Sequence, residues 1–294
     1  NGAATSCLRR ALDRVVRERG QDEYVKFKQR LRLSSADKFE EHTTTREPPF
    51  PRWVDTFRPE LDRKRWYHRF SALTATAGGF DVRRDVLTGH GPLGALYPTN
   101  TTHWCKEGDT ATFLYLVPTG MNDPEEPAWG SWAGRYGPNE NFAGKPYFWA
   151  NQTDAWNGAT NRDNTLARWA VDLQNDFRAR MDWCVKTFGE ANHPPRVRLR
   201  GELRRSVRAG ETVMLDASES KDPDGQRLEF EWWLYREPGH YQGPLEIRNA
   251  RSAVAQITAP PRADSAELHL VVTARDSGNP PLARYGRVVV TVVP

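Results

Sequence analysis

The sequence predicts an α/β domain followed by an all-β sandwich, and three observations carry that reading. Apolar residues recur at helical spacing near the start and alternate with period two near the end. Between the two regimes the chain is punctuated by Asn192-His193-Pro194-Pro195. A chain of 294 residues suffices for two ordinary cores, so domains are expected over 1–192 and 193–294.

Ser6 to Arg19 places Leu8, Ala11, Leu12, Val15 and Val16 on one face and Arg9, Arg10, Asp13, Arg14 and Arg17 on the other, with Gly20 as the stop. That pattern is an amphipathic helix. Gln21 to Gln29 reads as a second helix and Leu31 to Leu33 as a strand. Thr43 to Pro51 is a loop, after which Trp53, Phe57, Trp66, Tyr67 and Phe70 anchor an irregular region. Phe113 to Val117, ended by Pro118, is predicted as a buried strand. Gly134 to Asn164, rich in Gly, Asn and aromatic residues but without clear period, is predicted as a long ordered loop. Asp163 is placed to cap a helix whose core stripe is Leu166, Trp169, Leu173, Phe177, Met181, Cys184 and Phe188. Asp172, Asp176 and Asp182 on that helix are read as solvated or paired with arginine.

Beyond residue 192, Phe230, Trp232 and Leu234 alternate with Glu229, Glu231, Trp233 and Tyr235, and Glu267 to Thr273 and Arg287 to Val293 are further strands. Trp233 and Tyr235 then face away from the sandwich core, where they either form a glycan platform or pack against the first domain. Asp222 and Asp224 belong to a turn, a better reading than a weak calcium site.

The composition narrows the function classes. Acidic and basic residues are interspersed for a net charge of only +4, without the clustered basic footprint that nucleic acid requires. The longest apolar runs are far shorter than the ~20 residues that cross a bilayer. Cys7, Cys105 and Cys184 allow at most one disulfide and have no zinc spacing. His68, His90, His103 and His193 show neither metal nor triad spacing.

Leu215-Asp-Ala-Ser218, Asp222-Pro-Asp-Gly225 and Asp276-Ser-Gly-Asn-Pro-Pro-Leu282 resemble the immunoglobulin-like sandwich modules of the polycystic-kidney-disease and cadherin types. The resemblance implies an exported protein, extracellular or periplasmic. The earlier segments Gly91-Pro-Leu-Gly-Ala-Leu-Tyr-Pro98, Glu107-Gly-Asp-Thr110, Asn122-Asp-Pro-Glu125, Trp129-Gly-Ser-Trp-Ala-Gly-Arg-Tyr136 and Gln174 to Trp183 resemble a secreted nucleoside-hydrolase-like family known for cellulose binding. That family holds calcium with N-terminal aspartates, a mid-chain Thr carbonyl and a later Asp, and an N-terminal Asp activates water. No such cluster lies before the matched region, and Ser34 to His42 departs from the family's paired aspartates. The expectation is therefore an incomplete nucleoside-hydrolase-like domain with no assignable catalytic residue. By position, the resemblance implies Thr5 and Asp154 as the remaining calcium contacts. They fall well short of the ~6 to 8 oxygens a calcium ion takes.

The substrate-binding candidates are Glu107, Asp109, Asn122, Asp123, Trp129, Trp132 and Arg135. Glu107 and Asp109 flank Gly108 before the predicted strand and can accept sugar hydroxyls or simply cap a turn. Trp129 and Trp132 on a Gly-rich turn offer flat indoles to a pyranose or base, and Arg135 can hold a carboxylate; loop packing is the alternative. Asn122 and Asp123 are ligand contacts or an ordinary Asn-Asp-Pro turn. The resemblance implies a glycosidase acting on a nucleoside-like or plant-polysaccharide bond in the intact protein, this chain alone being inactive. The rival is a non-catalytic carbohydrate-binding protein, and a third reading is a scaffold that uses only the sandwich.

Overall fold

The computed structural model describes residues 14, 17–20, 22, 33–34, 77–97, 114, 117–123, 125–138, 148–239, 241–261 and 266–293. Among these, Arg14 and Arg17 to Arg19 are helical, as the amphipathic pattern requires, and Arg14 pairs with Glu18 one turn on at 2.7 Å. The strand β1 (Leu33–Ser34) runs parallel to β3 (Phe148–Asn151), and β2 (Tyr136–Pro138) closes the sheet antiparallel to β3.

Two expectations are corrected here. Leu114 is helical, and the Val117 amide donates to its carbonyl at 3.2 Å, so Phe113 to Val117 is not a continuous strand. Gly134 to Asn164 is not a loop either. Besides β2 and β3 it holds a hairpin of β4 (Asp154–Trp156) and β5 (Ala159–Asn161). Its two-residue turn, Asn157-Gly158, has φ of 48° and 77°, the left-handed pair that Asn and Gly accommodate at least cost.

After a helical turn α1 (Gly91–Leu96), the helices α2 (Asn164–Ala167) and α3 (Ala170–Trp183) carry the predicted stripe. Leu166, Trp169, Leu173 and Met181 are buried. Cys184 and Phe188 lie past the end of α3 and are exposed, because the helical period stops at Trp183. Asp163 precedes α2 without a side-chain cap bond; Asn161 instead accepts the Asn164 amide at 2.9 Å.

The C-terminal region contains two sheets. One has the order β6 (Arg204–Arg208), β12 (Ala283–Val293), β11 (Ala266–Arg275), β8 (Glu229–Tyr235); the other has β7 (Thr212–Asp216), β10 (Val254–Thr258), β9 (Ile247–Arg248). Leu215, Ile257, Trp232, Leu268, Leu270, Val272, Val288 and Val290 form a common core to which both sheets contribute. The alternate residues Tyr235, Val271, Ala283 and Tyr285 belong to a second core with Met121, Trp132, Tyr136, Leu166, Trp169 and Leu173. Strands β11 and β12 are thus covered on both faces, which is why they read as nearly unbroken apolar runs. Of the two readings of Trp233 and Tyr235, packing against the earlier part of the chain is the one observed: Tyr235 is fully buried, and Trp169 lies 6.0 Å from Trp233 and 5.9 Å from Tyr235 between centroids.

Candidate functional site

The two regions meet at Tyr285. Its amide donates to the Thr119 carbonyl at 2.8 Å, and its phenol donates to Asp172 on α3. Gly120, with φ of 84°, lies so close that a Cβ there would stand 1.9 Å from the Tyr285 carbonyl oxygen. Only glycine permits this approach. On either side of the contact a cleft opens, and Gly120, Val197 and Tyr285 line both.

The first cleft, of about 510 Å³, gathers three of the sequence-predicted residues, Asn122, Asp123 and Trp129. Trp129 ends the turn Pro127–Trp129, with its ring edge-on to His269 at 5.0 Å. The Arg204 guanidinium lies 4.3 Å from the centre of its ring and donates to Asp123 at 3.3 Å. Thr119 donates to the Asn122 amide oxygen at 2.7 Å, which fixes that side chain at the rim. Arg287, donating to the Gly130 carbonyl at 3.3 Å, completes the wall. Arg204 has acidic partners here, Asp123 at 3.3 Å and Glu126 at 3.9 Å.

The second cleft, of about 430 Å³, is lined by Trp183, Phe188 and His193 together with Arg180, Arg196 and Arg284. None of these six, nor Arg204, was singled out as a ligand contact from sequence. Their signals were available only as the Trp183 of the family-like segment, the His-Pro-Pro punctuation and an arginine-rich strand entry.

Other predicted residues are placed differently. Trp132 is 1% exposed and edge-on to Tyr285, with its indole N–H donating to the Tyr285 oxygen at 3.2 Å. It is a core residue, so stacking on a sugar is not open to it. Arg135 and Asp154 are brought together, but as an internal ion pair. Asp154 is 0% exposed; Oδ1 accepts from Arg135 Nε at 2.7 Å, and Oδ2 accepts from Arg168 Nη1 at 3.0 Å and from the Tyr235 hydroxyl at 2.7 Å. Burial, and then the Asp154 charge, push the Tyr235 phenol well above its ordinary range, so it remains a donor to the carboxylate. With both oxygens held by two guanidinium groups and a phenol, Asp154 does not fit calcium, which needs carboxylate oxygens free to bind it. No three His, Cys, Asp or Glu side chains gather as a metal cluster among the described residues. Thr5, Glu107 and Asp109 lie outside the described residues.

Of the four histidines considered from sequence, His90 and His193 are described, His90 contacting Asp182 at 3.2 Å and His193 contacting Asp224 at 3.0 Å. Asp222 closes the predicted turn, accepting the amides of Asp224 and Gln226 at 2.9 and 3.1 Å. No described helix is long and apolar enough to cross a membrane.

Comparison with known proteins places this geometry in context. Residues 2–136 match the model described as cellulose-binding Sde182, nucleoside hydrolase-like domain. Residues 212–292 match that of the cellulose-binding protein Sde0182, C-terminal domain. A solved nucleoside hydrolase-related hypothetical protein from Saccharophagus degradans, described as associated with carbohydrate metabolism, is 29% identical with a TM-score of 0.71, covering 96% of this chain and 68% of its own. The PKD domain from KIAA 1837 protein is 20% identical with a TM-score of 0.24, over 32% of this chain and 85% of its own. No curated protein matches the chain.

Proposed function

The chain belongs to the cellulose-binding Sde182 family, carrying its nucleoside-hydrolase-like and C-terminal domains in that order, and we propose that it binds a neutral polysaccharide without turnover. The division falls at residues 192 and 193, and the two C-terminal sheets form an immunoglobulin-like sandwich. The observation that carries the reading is the cleft where Trp129, Asn122, Asp123 and Arg204 converge beside the domain junction. A pyranose ring seats its C–H face on the Trp129 indole in place of the Arg204 guanidinium. That displacement costs little, because the exposed Arg204 to Asp123 pair contributes about 0–1 kcal/mol and the Arg204 contact with the Trp129 ring about 0.5–1 kcal/mol. Arg204, Asp123 and Asn122 then exchange hydrogen bonds with hydroxyl groups. The cellulose-binding description of the family, and the association of the Saccharophagus degradans relative with carbohydrate metabolism, support a glycan ligand and an extracellular or periplasmic setting.

The reading of the intact protein as a calcium-dependent glycosidase draws no support from Asp154, whose oxygens are committed to Arg135, Arg168 and Tyr235. Titration calorimetry with cellohexaose tests the proposal. Trp129→Ala is expected to weaken binding about tenfold or more, and Asp123→Ala, at a half-buried position, and Arg204→Ala, at an exposed one, severalfold each. Cellohexaose affinity unchanged in all three variants, or no binding by the unaltered chain, refutes it.

A further inference from the structure

The second cleft differs from the first in charge and in its aromatic wall. Phe188 is 67% exposed, and one face of its ring stacks on His193 with centroids 3.9 Å apart. His193 in turn stacks on Trp183 at 5.5 Å and an interplanar angle of 12°. The column is fixed at both inner members. The Trp183 indole N–H donates to the Asn192 carbonyl at 2.7 Å, and His193 is held to Asp224 through its amide at 2.7 Å and Nδ1 at 3.0 Å. The result is a preorganised flat surface whose outermost ring faces solvent.

Three arginines and no carboxylate line this cleft. Arg180 and Arg284 share the single carboxylate of buried Asp176, at 2.6 and 2.7 Å, so together they keep one positive charge in excess. Arg196 is exposed and makes no ion pair among the described residues. In the neighbouring cleft, by contrast, Arg204 has acidic partners. Cationic walls of low dielectric focus an attractive potential on an anion, and a guanidinium presents paired donors that match a planar carboxylate. A phosphate alone has no use for a flat apolar surface, whereas a sugar acid has both a C–H face and a carboxylate.

We propose that the cleft lined by Phe188, His193, Trp183, Arg180 and Arg196 binds a uronate residue of an acidic polysaccharide. It forms a second subsite beside the neutral one at Trp129, and this assignment rests on the reading of the chain as a glycan binder. Phe188 carries the ring, while Arg196 and the remaining donors of Arg180 take the carboxylate. The two clefts share Gly120, Val197 and Tyr285, so they adjoin at the junction.

The test is titration of the chain with hexagalacturonate and with cellohexaose, and competition of hexagalacturonate by inorganic phosphate. Hexagalacturonate is expected to bind with an affinity that falls as salt rises. Arg196→Glu and Phe188→Ala, both at exposed positions, are each expected to weaken it tenfold or more while changing cellohexaose affinity less than twofold. Phosphate is expected to displace it only at far higher concentration. Binding of cellohexaose but not hexagalacturonate overturns this inference alone. So does unchanged hexagalacturonate affinity in Arg196→Glu, or efficient displacement by phosphate together with indifference to Phe188→Ala. Failure of both glycans to bind overturns the binder reading as well.

Discussion

Replacing Asp154 with alanine distinguishes a structural ion pair from a metal ligand. The substitution removes the acceptor of three donors, the largely buried Arg135 Nε and Arg168 Nη1 and the buried Tyr235 hydroxyl. Arg168 is further confined by aromatic rings, its guanidinium carbon 4.3 Å from the Tyr235 centroid, 5.0 Å from that of Trp169 and 5.2 Å from that of Trp233. Breaking a buried pair by removing one partner costs about 3–5 kcal/mol, because the charge left behind has no water to replace its partner. Two residual contacts soften the loss: Glu237 lies 3.5 Å from Arg168, and the Thr153 carbonyl accepts from Arg135 at 2.7 Å. The expectation is therefore the lower end, about 3 kcal/mol. With a urea dependence of ~3 kcal/mol per molar, the midpoint falls by about 1 M. Tryptophan fluorescence at pH 7 reads the transition, measured in EDTA and again in millimolar calcium, with the same loss expected in both. A loss under about 1 kcal/mol in EDTA, or one that appears only with calcium, refutes the ion-pair account and restores Asp154 as a metal ligand.

Two further predictions concern the junction. Tyr235 and Tyr285 both have phenols pushed well above the usual 10.0, chiefly by burial and then by Asp154 and Asp172 respectively. Each proton is held more tightly in the folded state, so its contribution is fully present below pH 10 and is lost as pH rises toward the folded value. The slope is up to about 1.4 kcal/mol per pH unit for each group. Urea midpoints between pH 9 and 12 should fall steeply, and Tyr235→Phe should flatten that fall while costing about 1–3 kcal/mol at neutral pH through the lost hydrogen bond to the Asp154 carboxylate, whose Oδ2 keeps Arg168; an unaltered alkaline slope in that variant contradicts the assignment. Gly120→Ala should cost about 2–5 kcal/mol, combining a left-handed backbone with a clash against the Tyr285 carbonyl, whereas Gly158→Ala, at φ of 77° with open space around it, should cost only the backbone part of about 1–2 kcal/mol. Thermal melts of the pair compare the two, and equal losses would mean that the close approach at Gly120 carries no weight.

Sequence alone determined what depends on neighbours along the chain. The spacing of Leu166, Trp169, Leu173 and Met181 marked the buried side of α2 and α3, and alternation about Trp232 marked a strand and the side on which Tyr235 emerges. The Asn157-Gly158 turn was legible too, since both residues accommodate left-handed φ, but the lack of a clear period around it argued for a loop. Tertiary structure decided what depends on partners distant in sequence. Nothing local distinguishes Trp129, which reaches a cleft, from Trp132, whose indole is sealed by Tyr285. Likewise, the carboxylate of Asp154 is available or committed according to Arg168 and Tyr235, the latter on a strand of the other region. A residue's type sets which chemistry it can perform. Whether it faces ligand or core is set by long-range packing, because only packing removes water from one face and leaves it on another.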